Sequence, residues 1–166
     1  MDSIKALWES GDVERFHTVP HLRPYTVAQH CWRMLMLLYK LHPCPHRQLV
    51  GAILFHDSAE RWTGDIPAPA KWWIVDADFD VVEERILTGL GVHFDLEDHD
   101  QHWLKALDLL ELYLYCLDEL SLGNSNLQQV SHVCLRILNE LWVPEEIKMW
   151  LETKTWQRTD DAFGKQ

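Results

Sequence analysis

An all-α, compact single-domain helical bundle is the fold this chain predicts, and three observations predict it. Apolar residues recur with a helical period in every long segment. No stretch shows a convincing period-two alternation. The chain has 166 residues, 47% of them hydrophobic, which is one domain's worth and enough to bury a core without disulfide or metal staples. No repeat, low-complexity tract or linker breaks it, so residues 1–166 read as one domain.

The elements follow in order. Ser3 to Ser10 predicts a short helix closed by Gly11. Val13 to Tyr25 is a loop rich in His, Pro and Arg. Thr26 caps the next helix, with Gln29 where a capping box wants Glu or Gln. That helix carries Val27, Cys31, Met34, Leu35, Leu38 and Leu41 as one stripe, and Pro43 and Pro45 end it. Pro45 starts another helix, Gln48 to Arg61 is strongly apolar at Leu49, Ile53 and Leu54, and His56-Asp57 sit at a helix end. Thr63-Gly64-Asp65 is a turn, and Pro67 and Pro69 restrict the chain beyond it. Asp78 to Gly89 is amphipathic through Phe79, Val82 and Ile86. Asp98 to Leu122 is the longest helical run, stopped by Gly123-Asn124. Asn126 to Trp142 follows, and Pro144 opens a last helix to about Trp156.

Composition then excludes function classes. Fifteen basic residues face 26 acidic ones, a formal net charge of −11. Long nucleic acids and anionic membranes both need clustered Lys and Arg, so neither is an expected partner. No apolar run is long enough to span a bilayer, and the first ten residues do not read as a secretory signal. Four Cys (Cys31, Cys44, Cys116, Cys134) form no C-x-x-C pair; three lie in apolar stripes, as packed free thiols do. A cytoplasmic setting follows as the expectation. Ten His are the feature to explain.

Some polar residues sit where a core is expected. His56-Asp57 ends a face of Val50, Ile53, Leu54 and Phe55. His30 lies one turn inside its helix among Val27, Met34 and Leu38. Asp108 interrupts a run of Leu in the longest helix, with Glu111 three residues on. Taken singly, each has a bland reading: a core His bonded to a carbonyl, an Asp capping a turn. Together they place two imidazoles and two carboxylates on three inward-facing helices. That mixed N/O set suits Zn, Mn, Fe or Co. Glu60, four residues after His56, and Asp65 at the Gly64 turn are carboxylates fit to orient a metal-bound water. Arg15, Lys71 and Lys105 are scarce cations that suit a phosphate or an ordinary solvated surface.

His30, His56-Asp57 and Asp108 resemble the H…HD…D signature of the HD-domain metal-dependent phosphohydrolases. The flanks agree: Arg15-Phe16-His17-Thr18, Thr26 to His30, His56 to Glu60, Thr63 to Lys71, and Lys105 to Asp108. Residues 13 to 125 are similar to the YfbR-type 5′-deoxynucleotidases. The compact length and the loop from Arg15 to His30 also look like the phage dATP triphosphohydrolase branch (DatZ), found in viruses that use 2-aminoadenine DNA. In that setting the protein would work in the host cytoplasm.

The resemblance implies roles. His30, His56, Asp57 and Asp108 would be metal ligands for Zn, Co or Mn. Glu60 and Asp65 would handle the attacking water or a second ion, Mg or Co. Arg15 would bind phosphate, with Lys71 and Lys105 as partners for a longer phosphate chain. Phe16, where the family usually has Trp, would wall the nucleoside; Thr18 and Pro69 would lie near the base. A homo-oligomer, dimer or hexamer, is implied as well, with Trp142, Trp150 and Trp156 as candidate contacts. The reaction implied first is hydrolysis of dATP to deoxyadenosine and triphosphate. A 5′-deoxynucleotidase acting on dNMPs is the alternative. A nucleotide-binding regulator without chemistry is a further one, disfavoured because Glu60 and Asp65 are both present.

Overall fold

The computed structural model describes residues 2–67, 70 and 79–161, with side chains as far as 153. Among these residues the chain is helical, with no strand longer than one isolated bridge between Glu14 and Thr26. In chain order the helices are α1 (Ser3–Ser10), α2 (Val27–Leu41), α3 (Arg47–Phe55), α4 (Glu60–Thr63), α5 (Phe79–Gly89), α6 (Asp98–Ser121), α7 (Gln128–Glu140) and α8 (Glu145–Asp161). A 3₁₀ turn, Ser125–Leu127, precedes α7. No described helix is long and apolar enough to cross a membrane.

Caps set the boundaries. The Asp2 carboxylate accepts from Ile4 N and Lys5 N at the start of α1. Thr26 and Gln29 form the complete capping box of α2, satisfying two donors that the first turn leaves orphaned. The C-terminal end of α6 needs Gly123, whose φ of 92° is left-handed backbone; Asn124 N then bonds back to Glu119 O at 3.0 Å, which closes the helix end.

The core gathers around α6. Trp103, Ala106, Leu107 and Leu110 from α6 meet Met34 and Leu38 from α2, Leu49 and Ile53 from α3, and Cys134 and Leu138 from α7. Ile147 and Leu151 of α8 complete it. Each such aliphatic side chain contributes about 1.5–3 kcal/mol of burial. A second, smaller cluster of Tyr25, Tyr115, Cys116 and Leu127, with Phe16 and Val19 against it, fastens the loop before α2 to α6 and α7. Buried Cys31, Cys116 and Cys134 are free thiols.

One expectation is corrected. His56-Asp57 stand at the end of a helix as the sequence predicts, but the spacing that puts Glu60 on one helical face with His56 does not hold: α3 ends at Phe55, residues 56–59 form turns, and α4 restarts at Glu60. Asp57 therefore does not lie on a helix, and Glu60 does not share a helical face with His56. The break is stabilised by short-range bonds, Ser58 N to Phe55 O and Glu60 N to Asp57 O, both at 3.0 Å. His56 keeps helical backbone as the cap of α3, its N–H bonding to Ala52 O at 2.9 Å, and the Asp57 carboxylate lies beside the rings of His56 and His30.

Candidate metal centre

His30 is fully buried and its two ring nitrogens face different surroundings. Nδ1 lies 2.7 Å from Glu111 Oε2. Nε2 points the other way, 3.4 Å from Asp108 Oδ1 and 3.6 Å from Asp57 Oδ2. His56 repeats the pattern: Nδ1 donates to Ile53 O at 2.9 Å, and Nε2 lies 3.2 Å from Asp57 Oδ1. In a neutral imidazole the nitrogen that donates fixes the tautomer and leaves the lone pair on the other. Both Nε2 atoms are thus presented as acceptors into one small volume. Neither makes a hydrogen bond there.

Buried polar atoms are rarely left unpaired, so two in one place need a cause. The ligand atoms of His30, His56 and Asp57 all lie within 4.8 Å of one another, with Asp108 beside them. Two imidazole nitrogens and two carboxylates fit a divalent ion of the Zn, Co or Mn kind.

The electrostatics agree with a cation-binding cluster. Burial pulls the His30 pKa down, but the flanking carboxylates of Asp108 and Glu111 more than offset this and hold it at about 9. Asp57 stays below the ordinary carboxylate range because His56, Arg15 and His30 outweigh its burial. Asp108 is held well below that range too, its burial overcome chiefly by His30. Glu60 moves the other way: burial first, then the Asp57 charge, push it up to about 8.

The remaining predicted residues surround this cluster to different degrees. The Arg15 guanidinium hydrogen-bonds to Asp57 and sits 3.8 Å from both Glu60 and Asp108, its charge also lying 5.5 Å from the Tyr25 ring centroid. Glu60 keeps Oε2 buried and without a hydrogen-bond partner. The Asp65 carboxylate accepts from Phe16 N at 2.6 Å and so steadies a residue whose φ of 63° is unfavourable for a bulky side chain. Thr18 is exposed, in the turn closed by Val19 N and Phe16 O. Lys105 is exposed one turn before Asp108. Pro69 and Lys71 lie outside the described residues, and so does the Trp156 side chain.

Two sets of contacts were not evident from the sequence. Tyr25 donates to Glu111 Oε2 and Arg33 reaches Glu111 Oε1 at 3.3 Å, so the partner shell of His30 comes from three elements. Glu119, fully buried, accepts from Leu22 N at 2.7 Å, Arg23 N at 3.1 Å and Asn124 Nδ2 at 2.8 Å. These bonds overcome its burial and lower its pKa. They also pin the loop that carries Arg15 and Phe16. The one available signal was an acid recurring inside the apolar stripe of α6, at 108, 111 and 119.

The chain is similar to known proteins. The HD-domain family model matches residues 12–94, half of the chain, and the chain belongs to the HD-domain family. The match takes in His30, His56, Asp57, Glu60 and Asp65 but stops before Asp108. A 5′-deoxynucleotidase of Vibrio atlanticus is 30% identical over 123 residues, 64% of this chain and 62% of that protein. One from Klebsiella pneumoniae is 25% identical over 140 residues, 68% of this chain and 70% of that protein. The chain thus spans about three fifths of the Vibrio protein's length. Among solved structures, the HD phosphohydrolase DatZ of cyanophage S-2L, bound to dA and one catalytic Zn²⁺, superimposes with a TM-score of 0.69 at 19% identity, over 95% of this chain and 96% of that one. PH0347 from Pyrococcus horikoshii gives 0.71 at 17%, over 92% and 96%. At these identities the structural likeness is one of fold.

Proposed function

We propose that this chain is a metal-dependent phosphohydrolase of purine deoxynucleotides, with dATP cleaved to deoxyadenosine and triphosphate. The observation that carries the reading is the pair of buried, unpartnered Nε2 atoms converging with Asp57. Its substrate class is supported by relatives called 5′-deoxynucleotidases. Triphosphate release is the reading suggested by the compact length and the Arg15 to His30 loop, which resemble the phage dATP triphosphohydrolase branch. Such an enzyme would deplete dATP, which suits a phage that builds 2-aminoadenine DNA. We further propose that residues 1–166 act as one domain and assemble as a homo-oligomer.

His30, His56, Asp57 and Asp108 would hold the ion, which when bound supplies Lewis-acid polarisation of a phosphoryl oxygen and acidifies water. Glu60 Oε2 would orient the attacking water and take its proton; a carboxyl pushed to about 8 suits proton transfer near neutrality. Water oxygen bonds to the α-phosphorus, the bond to the 5′-oxygen breaks, and a proton returns to that oxygen. Arg15 would exchange its carboxylate partners for non-bridging phosphoryl oxygens and offset their charge. Asp65, through Phe16 N, holds the loop on which Arg15 stands. Phe16 would wall the nucleoside, with Thr18 and Pro69 near the base and Lys71 and Lys105 along the phosphates.

A second reading, a 5′-deoxynucleotidase acting on monophosphates, is favoured by the names of the sequence relatives. Chelator-treated protein reloaded with Zn²⁺, Co²⁺ or Mn²⁺ is incubated with dATP and dAMP, and products are read by phosphorus NMR. Inorganic triphosphate from dATP is the expected result. Phosphate from dAMP with dATP untouched selects the second reading. Turnover of neither, or full activity in Asp57→Ala, contradicts both.

A further inference from the structure

We propose that Glu111 is a positioning residue that sets metal affinity through His30, and that Arg33 tunes it in the opposite sense. The inference rests on the reading of His30 as a metal ligand.

Glu111 is 2% exposed, on the face of α6 that carries buried Leu107 and Leu110. An apolar side chain would pack there without the desolvation cost of a carboxylate. The carboxylate instead divides its two oxygens. Oε2 serves the ring nitrogen of His30 at 2.7 Å and the Tyr25 hydroxyl. Oε1 serves Arg33 at 3.3 Å. Toward His30 this does two things. It fixes the ring plane and the tautomer, with the proton on Nδ1 and the lone pair on Nε2. It also returns electron density to the ring, which makes Nε2 a stronger donor to a cation. Tyr25 holds the carboxylate in place, its ring stacked on Tyr115 at 4.0 Å between centroids.

Arg33 acts against this. Its side chain is 30% exposed, with its charge 5.8 Å and 5.9 Å from the Tyr25 and Tyr115 ring centroids. From there it draws on the same carboxylate that supports His30. Removing Arg33 frees negative charge toward the ring; removing the Glu111 charge withdraws it. A network that only held the helices together would not give opposite signs.

The test is Zn²⁺ affinity of the full chain, stripped of metal and titrated in competition with a chromophoric chelator at fixed pH. Relative to wild type, Glu111→Gln is expected to bind Zn²⁺ about 10- to 100-fold more weakly, and Arg33→Met to bind it more tightly. Binding by Glu111→Gln within twofold of wild type overturns the proposal, and unchanged or weaker binding by Arg33→Met overturns its Arg33 half. Should Glu111→Gln not fold, Glu111→Asp withdraws the carboxylate by one methylene and carries the same expected weakening. A wild-type chain that binds no Zn²⁺ removes the metal centre itself, and this inference with it. A wild type that binds while Glu111→Gln matches it removes the inference alone.

Discussion

Two groups of histidines stand at different levels of the same bundle. His30 and His56 lie with Asp57 and Asp108 beside the first turn of α2. His42, His46, His99 and His102 lie around its far end, twelve residues or about 18 Å along the helix from His30. The far group is the larger, yet its members are already engaged. His46 Nε2 meets Asp100 at 2.6 Å. His42 Nδ1 accepts from Cys44 N, and its ring lies 4.7 Å from Trp103. His102 leans on Trp142 at 4.6 Å. In the near group both Nδ1 atoms are anchored and both Nε2 atoms converge unpaired. What distinguishes a candidate metal centre is a convergence of free donor atoms, not an abundance of imidazole.

The largest expected effect separates the two groups by function. His56→Ala is expected to remove metal binding and to lower the proposed deoxynucleotide hydrolysis by more than about 100-fold, beyond what loss of a partner behind a ligand costs. His99→Ala or His102→Ala leaves turnover and metal content near wild type. Steady-state rates with metal analysis of the same samples check this, and a far-group variant that loses activity would break the comparison.

Stability should divide the other way. Trp103 is 2% exposed in the core beneath His42. Trp103→Ala is expected to cost about 3–5 kcal/mol, which lowers Tm by roughly 10 °C in a domain of this size. At a temperature where the variant is folded it should still take up one ion. Thermal melts and a metal titration of that variant read the two quantities separately.

A smaller effect is the sign of the pH dependence in metal-free protein. At the near group, folding holds a proton on His30 up to about 9 and on Glu60 up to about 8. The unfolded chain releases these protons earlier, near 6.5 and 4.5, so stability falls as pH rises through that range. At the far group burial, then His99, lowers the His42 pKa. The unfolded chain takes up that proton first, so stability falls as pH drops below about 6.5. The near-group effect is the larger, so Tm should decline as pH rises from about 4.5, with His42 opposing the decline only below about 6.5. His42→Gln should remove that opposition and steepen the decline slightly below about 6.5, leaving the alkaline limb unchanged.

Much of this was legible in the sequence, for identifiable reasons. The 3.6-residue stripes of α2 and α6 report burial directly, and Thr26 with Gln29 reports a cap that needs no tertiary information. His30, His56, Asp57 and Asp108 stood out because ionisable groups in apolar stripes require partners. The helix end at His56-Asp57 was legible, but the turn that takes Glu60 off the face of His56 was hidden because Ser58 and Ala59 do not interrupt a helical pattern. The turn exists through bonds that only the packed chain makes. Glu111 was seen only as a neighbour of Asp108: its bonds to Tyr25, His30 and Arg33 join residues 78 to 86 positions away, which no local pattern encodes. Asp65 likewise reads as an acid near a site until the fold shows it holding Phe16 N.

The most direct test is metal stoichiometry by equilibrium dialysis against Zn²⁺, followed by elemental analysis. One tightly held ion per chain is predicted in wild type and in the double variant His42→Ala/His99→Ala, and none in His56→Ala or Asp57→Ala. Retention of the ion by both near-group variants, or its loss from the far-group double variant, would contradict the assignment of the metal centre to His30, His56, Asp57 and Asp108.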